Sequence, residues 1–182
     1  NHFNSKGGDD PLSGRIQPPV LASETQRSSQ ATVLAGFVDT LLNADPETRV
    51  IALGDFNDFS FSAPLAKLHD VGLVDLVLGL PENERYTYVY QGNSQDLDHI
   101  LVSPSLAARS TYDVVHVNAE LSVQASDHDP AVGRIELGDA PVFALSNPPA
   151  SVLSGQPFSF QVSATGSPAP TFSLSAAPSG MT

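Results

Sequence analysis

The sequence contains no cysteine, so neither a disulfide nor a thiolate metal site can form, although this absence leaves the compartment open. No apolar run approaches the ~20 residues that a membrane span needs. The opening stretch, NHFNSKGGDD, is polar and lacks an apolar h-region, so no signal peptide is expected there. Basic residues are scarce: 8 Lys and Arg stand against 20 Asp and Glu, a net charge of −12 at pH 7. Such a surface resists aggregation and repels anionic partners at long range. It argues against passive nucleic-acid binding, which favours basic proteins. A metal-dependent enzyme escapes this objection, because a bound cation inverts the local field. Charge is missing altogether from residues 140–182, which hold seven of the 15 prolines.

What is present reads as one domain and part of another. The 182 residues are 41% hydrophobic, enough to bury a core. The change in composition after IELGDAPVF places a boundary there, dividing the chain into residues 1–138 and 139–182. In the second part, FSFQVSA alternates Phe158, Phe160 and Val162 with polar residues, and TFSLSA repeats the pattern with Phe172 and Leu174. Period two predicts half-buried strands, separated by the turn-rich TGSPAP. A partial β-sandwich module is expected, because about 42 residues are too few for a whole one.

The first part alternates helix and strand. Val33, Leu34, Phe37, Val38, Leu41 and Leu42 recur at helical spacing after Ser23, which forms a capping box with Gln26. RVIALGDF is a strand of nearly continuous apolar character, expected to be buried on both faces. SAPLAKLHDVG is a short helix with Pro64 in its first turn and Gly72 as its stop. RYTYVYQG places Tyr86, Tyr88 and Tyr90 on one side of a strand. LDHILVS, YDVVHVN and AVGRIEL supply three more strands, with the loop QASDHDP before the last. No internal repeat is visible.

The carboxylates gather at strand ends. GDFND, residues 54–58, ends one strand on Asp55, Asn57 and Asp58; Asp98 opens another; Asp127 and His128 precede a third. Taken singly, each reads as a turn or capping residue, GDFND as an Asx-type turn. Together they supply what hard-metal hydrolysis needs. Mg²⁺ takes carboxylate oxygens and keeps waters. Histidine is the base poised near neutral pH, and a neighbouring Asp can orient it. His69, His99 and His116 have similar local surroundings and no evident role.

The ordered stretches NHFNSKG, GDFNDF, LDHILVS and SDHDP resemble the endonuclease/exonuclease/phosphatase superfamily over residues 1–138. NHFNSKG and YQGNSQ…LDHILVS are most similar to bacterial extracellular nucleases, and the tail resembles immunoglobulin-like modules of secreted bacterial proteins. The resemblance implies an α+β fold: the second half of a two-sheet α/β sandwich with helices outside, then a partial immunoglobulin-like module. It also implies roles. Asp55 would act near the attacking water or leaving group. Asn57 would position the phosphate. Asp127, with Asp55, would hold a divalent metal, Mg²⁺ before Mn²⁺ or Ca²⁺. His128 would be general base or transition-state stabiliser, oriented by Asp98. His2 would contact a phosphate oxygen or assist the leaving group, and Asn4 would face substrate phosphate. Lys6 is expected to be solvated. Asp58 and Asp129 match no role.

The family pattern also takes an Asn and a metal-binding Glu from the first half of its domain, ahead of the NHF strand. Glu24, on a helix, does not replace that Glu. The chain is therefore expected to be the C-terminal portion of the domain, to be inactive alone, and to expose a sheet face. The implied activity is metal-dependent phosphodiester hydrolysis by an extracellular nuclease on DNA or RNA. Two alternatives stand beside it. One is the same chemistry on a phospholipid headgroup or inositol phosphate. The other is a non-catalytic surface-binding module.

Overall fold

Helix α1 runs from Glu24 to Ala44 in the computed structural model, which describes residues 1–144, 151, 153, 155–167 and 169–173. The helix lies where the apolar spacing placed it, but its cap and its buried face differ. Ser23 makes no side-chain cap; its Oγ instead accepts from the buried Arg27 guanidinium. The buried stripe is Arg27, Ala31, Ala35 and Val38, while Val33 and Phe37 face solvent. The two alanines have no bulk to hold neighbours off, so the helix face that carries them packs into the core.

That core belongs to the first of two compact units, Asn1–Glu136. Strands β1 (Ile51–Asp55), β2 (Val74–Asp75) and β5 (Asp98–Val102) form an antiparallel sheet in the order β1-β5-β2. Helix α2 (Ala63–Asp70) carries Pro64 in its first turn and is followed, two residues on, by Gly72, whose φ is +90°. Phe3, Val38, Ala52, Phe56, Leu65, Leu68 and Leu101 form the core between helices and sheet. Strand β1 is covered on one face only, against expectation: Ala52 is buried, whereas Leu53 is 53% exposed. Both faces of a strand carry apolar side chains here, yet α1 and α2 supply apolar cover to one.

Two ribbons flank the sheet. Strands β3 (Tyr88–Tyr90) and β4 (Asn93–Gln95) form a hairpin. Its turn, Gln91-Gly92, has φ of 50° and 81°, the double positive φ of a type I′ turn. A short helix α3 (Pro104–Ala107) leads to β6 (Ser110–Val114), which pairs with β7 (Ala131–Ile135). His116 lies beyond the end of β6 rather than along it.

The second unit, Leu137–Thr182, begins two residues before the expected boundary. It contains the antiparallel pair β8 (Asp139–Ala144) and β9 (Ser163–Ser167). Strand β9 takes in residues expected to form a turn. Phe158, Phe160 and Val162 precede it, exposed and outside any strand. Alternation needs a facing layer to bury its apolar side, and none covers these three among the described residues. Leu174 and the rest of the second expected strand from that position lie outside the described residues.

The glycine of GDFND has a packing reason. Residues 1–3 run alongside β1, with the Asn1 nitrogen donating to Leu53 O at 2.7 Å and Phe3 N–H to Asp55 O at 2.9 Å. Gly54 has φ of +140°, and a Cβ there would lie 1.9 Å from Asn1 O. Gly54→Ala should therefore cost about 2 kcal/mol or more, combining backbone strain with expulsion of the 1–3 segment. Urea unfolding at wild-type midpoint would show that the segment is not held as described.

Candidate active site

The cross-strand register of β1 and β5 sets Asp55 opposite Asp98. Like charges facing each other across a strand pair repel, so each carboxylate needs its own donors. Asp55 accepts from Asn57 twice, through the backbone N–H at 2.8 Å and Nδ2 at 2.9 Å. The first of these closes an Asx-type turn, and Asn57 takes φ of 51°, which its side chain tolerates. The turn that caps the strand also orients the Asp55 carboxylate. Burial and the charge of Asp98 hold Asp55 above the usual carboxylate range, against the pull of the Asn57 N–H.

Asp98 has two partners. Thr87 Oγ1 donates to its Oδ2 at 2.6 Å, and His128 Nδ1 lies 2.5 Å from the same oxygen. The hydrogen bond to Asp98 raises the His128 imidazole above its ordinary pKa; burial opposes this, and the charges of Asp98, Asp55 and Asp127 add to it. With Nδ1 engaged, Nε2 is the nitrogen left to meet a reactant. The ring packs 4.8 Å from that of Tyr88.

The SDHDP loop is fixed by the residue after His128. Asp129 is buried and accepts the N–H groups of Val117, Asn118 and Ala119 at 2.7–3.0 Å, with His116 Nδ1 at 3.0 Å. Burial opposes its charge, but these donors prevail and keep its carboxyl below the usual range. Asn118 Nδ2 in turn holds His128 O at 2.9 Å, and Asp129 N–H donates to Thr87 O. Asp129, which matched no role in the sequence, anchors the loop that carries His128.

The expected residues are brought together unevenly. Asp55, Asp98 and His128 offer ligand atoms that all lie within 4.8 Å of one another. Two carboxylates and an imidazole fit a divalent cation, which would relieve the repulsion between the like charges of Asp55 and Asp98. Asn57 joins them through Asp55. His2 reaches Asp55 Oδ2 at 3.4 Å from an exposed position beside β1. Asp127 is exposed and lies outside this close cluster, but it lines a cleft of about 650 Å³ with Asn57 and His128. That cleft opens beside the cluster, and His2 is not among its walls, although the phosphate contact implied for it would place it there. Asn4 turns its amide to Ser5 O, and its backbone N–H donates to Gln30. Lys6 is not free in solvent as expected: its ammonium sits 3.4 Å from Asp58 and 4.5 Å from the centre of the Phe59 ring, on the cleft wall.

Two buried charge clusters support the site from behind, and the sequence expectations include neither. Arg27, fully buried, bridges Asp9 at 2.8 Å and Asp58 at 2.7 Å. His99 points away from Asp98 into the core, with Nδ1 2.7 Å from Asp75 and Nε2 2.9 Å from Asp58 O. Burial alone would lower the His99 pKa, but the bond to Asp75 and its charge push it up to about 9. The Asp75 carboxyl is held below its ordinary 3.8 by His69 and His99, against burial.

The linkage has a definite sign. A histidine raised from 6.5 to about 9 stabilises the fold fully below pH 6.5 and loses that contribution as pH climbs through 9. Asp75, being lowered, contributes above 3.8 and fails only in more acid solution. Unfolding free energy should thus fall between pH 6.5 and 9, by an amount on the order of 3 kcal/mol. Asp75→Asn should flatten this slope; an equal slope in that variant would assign it to another group.

Comparisons with known proteins bear on the fold and the family. The Endonuclease/Exonuclease/phosphatase family profile matches residues 4–128. A 3'-5' exonuclease, NExo, from Neisseria meningitidis superposes with a TM-score of 0.52 at 24% identity, over 63% of this chain and 55% of that one. A Neisseria 3' phosphatase NExo variant bound to product DNA hairpin gives 0.49 at 23% identity, with the same coverages of 63% and 55%. A mannosyl-6-phosphatase of Bacteroides thetaiotaomicron gives 0.45 at 22% identity, over 63% of this chain and 47% of that one. The chain spans about half the length of these solved structures. No curated protein matches it. The profile match covers well over half of the sequence, and the chain belongs to the Endonuclease/Exonuclease/phosphatase family.

Proposed function

We propose that the intact protein is a divalent-metal-dependent phosphodiesterase, an extracellular nuclease acting on DNA or RNA. The observation that carries this reading is the 2.5 Å contact between His128 Nδ1 and Asp98 Oδ2, within ligand distance of Asp55. An imidazole held on one nitrogen by a carboxylate can exchange a proton with a reactant at the other. Asp55 and Asp127 are the residues proposed to hold Mg²⁺, which supplies Lewis-acid stabilisation of the phosphoryl oxygens. His128 Nε2 then takes or gives the proton at the reacting oxygen, and Asp98 keeps the ring in position. Asn57 and Asn4 are proposed to bind phosphate oxygens, and His2, through its place beside Asp55, to assist the leaving group. The extracellular setting rests on the likeness of NHFNSKG and YQGNSQ to bacterial extracellular nucleases. The pair β8–β9 is proposed to belong to an immunoglobulin-like module.

Substrate choice is tested by offering the intact protein plasmid DNA, RNA and sphingomyelin, each with Mg²⁺ and with EDTA. Nucleic acid should be cleaved in the metal arm and sphingomyelin left intact. Preferential release of phosphocholine would replace the nuclease reading with the lipid one. Binding to a substrate surface without turnover, independent of metal and undiminished in His128→Ala, would replace both with a non-catalytic module.

A further inference from the structure

Two aromatic pairs border the cleft that opens beside His128, and the chemistry described above uses neither. Tyr88 and Tyr90 lie on one side of the β3–β4 hairpin with their rings 11° from parallel and 6.4 Å apart. Tyr86, expected on the same side, stacks instead on His116 and leaves the cleft to the other two. Tyr90 is 48% exposed, so its ring is no part of the core. On another part of the cleft wall Phe59 and Phe61 stack at 5.1 Å and 1°, with Phe59 buried and Phe61 75% exposed. Lys6 sits over Phe59, and the cleft also takes in Arg85, whose Nε is tied to Leu80 O. Each pair therefore has a fixed inner ring and an open outer ring. The inner tyrosine touches the His128 imidazole.

Flat, exposed, rigidly backed rings beside a phosphodiester site fit planar ligands. A choline headgroup is held by rings that close around its cation as a cage, and neither it nor a sugar ring offers a flat π-face to two parallel ring pairs. A nucleobase does, and every base has one, so such a surface tolerates any sequence. Bases within a duplex are already stacked on their neighbours and cannot reach these rings. We infer that Tyr90 and Phe61, backed by Tyr88 and Phe59, form base-stacking subsites, and that the preferred substrate presents unpaired bases, as single-stranded DNA or RNA, next to the phosphate at His128. This rests on the nucleic-acid reading above and narrows it. Asp127 and Asp9 also line the cleft, so affinity comes from base faces and a bridging cation more than from attraction of the strand's charge.

The test is a binding measurement that needs no turnover. Fluorescein-labelled oligothymidylate, oligouridylate, an abasic strand of equal length and the matching duplex are titrated with the intact protein, in Ca²⁺ and in EDTA, and followed by anisotropy. The base-containing single strands should bind more tightly than the abasic strand by roughly 5- to 100-fold per stacked base. They should also outbind the duplex. Tyr90→Ala with Phe61→Ala, both at exposed rings that the fold does not need, should erase the advantage. Cleavage of a tetrahydrofuran abasic strand in Mg²⁺, which offers no planar base, should stay at the wild-type level in that double variant. Equal binding of base-containing and abasic strands, no binding of either, or an advantage that survives the double variant would each overturn the inference. If cleavage of the abasic strand is normal while base preference is absent, this inference alone fails. If base preference is present without hydrolysis, the hydrolase reading fails instead.

Discussion

His128→Ala should lower phosphodiester turnover by a factor of roughly 10² to 10⁴, the usual worth of a positioned acid or base. His69→Ala should leave it within a small factor of wild type. The contrast follows from surroundings. His128 is held at Nδ1 by Asp98, lies within ligand distance of Asp55, and lines the open cleft. His69 lies on α2 with its Nε2 3.9 Å from Asp75 and is not among the residues lining the cleft. Asp98→Asn should reproduce most of the His128→Ala loss, because the asparagine amide can no longer hold the imidazole in the same charge state. Steady-state kinetics on one nucleic-acid substrate decide the matter. Equal losses at His69 and His128 would show that a general loss of structure, not the dyad, had been measured.

Arg27→Ala should be the most damaging single change to the fold. The guanidinium is fully buried and neutralises two carboxylates on two segments: Asp9 in the loop after the first strand-like stretch, and Asp58 at the end of GDFND. Burial disfavours its charge, but the bonds to Asp58 and Asp9 hold it firmly protonated. Removing it leaves both buried acids with only the Lys6 ammonium, 3.4 Å from Asp58 and 3.9 Å from Asp9, as counter-charge, at a cost of about 3 kcal/mol. That is a large part of the 5–15 kcal/mol that holds a typical domain. Equilibrium unfolding in urea measures it. Replacing Arg27 by Met together with Asp9→Asn and Asp58→Asn should recover much of the loss, since an apolar or neutral set removes the stranded charges. A loss under 1 kcal/mol in Arg27→Ala would mean that water reaches the triad.

How much of this was legible in the sequence depends on how local the signal was. Asp55, Asn57, Asp98 and His128 stand at strand ends within short motifs, so their types and order could be read directly. The short helix with Pro64 and Gly72 was likewise written in its own residues. Arg27 was not legible. It sits in the polar first turns of α1, where a solvated side chain is the ordinary outcome, and only Asp9 and Asp58, distant in sequence, draw it inward. His99 left a trace that went unused: alternation along β5 puts it on the same side as Leu101, opposite Asp98, and that side is buried. The double burial expected for β1 failed because an apolar strand states what it could bury, and the neighbouring elements decide what it does bury. Phe158, Phe160 and Val162 failed in the same way. Their alternation is real, but a facing layer is needed to turn it into a strand.

The central claim is that the Asp98–His128 pair beside Asp55 performs metal-dependent phosphodiester hydrolysis. Its most direct test is nicking of supercoiled plasmid DNA by the intact protein, first with Mg²⁺, then in excess EDTA, then with Mg²⁺ restored. The account predicts nicking with the metal, none in EDTA, full recovery on restoration, and no comparable activity in His128→Ala at any stage. Nicking that persists in EDTA, or that His128→Ala retains at the wild-type rate, would contradict it.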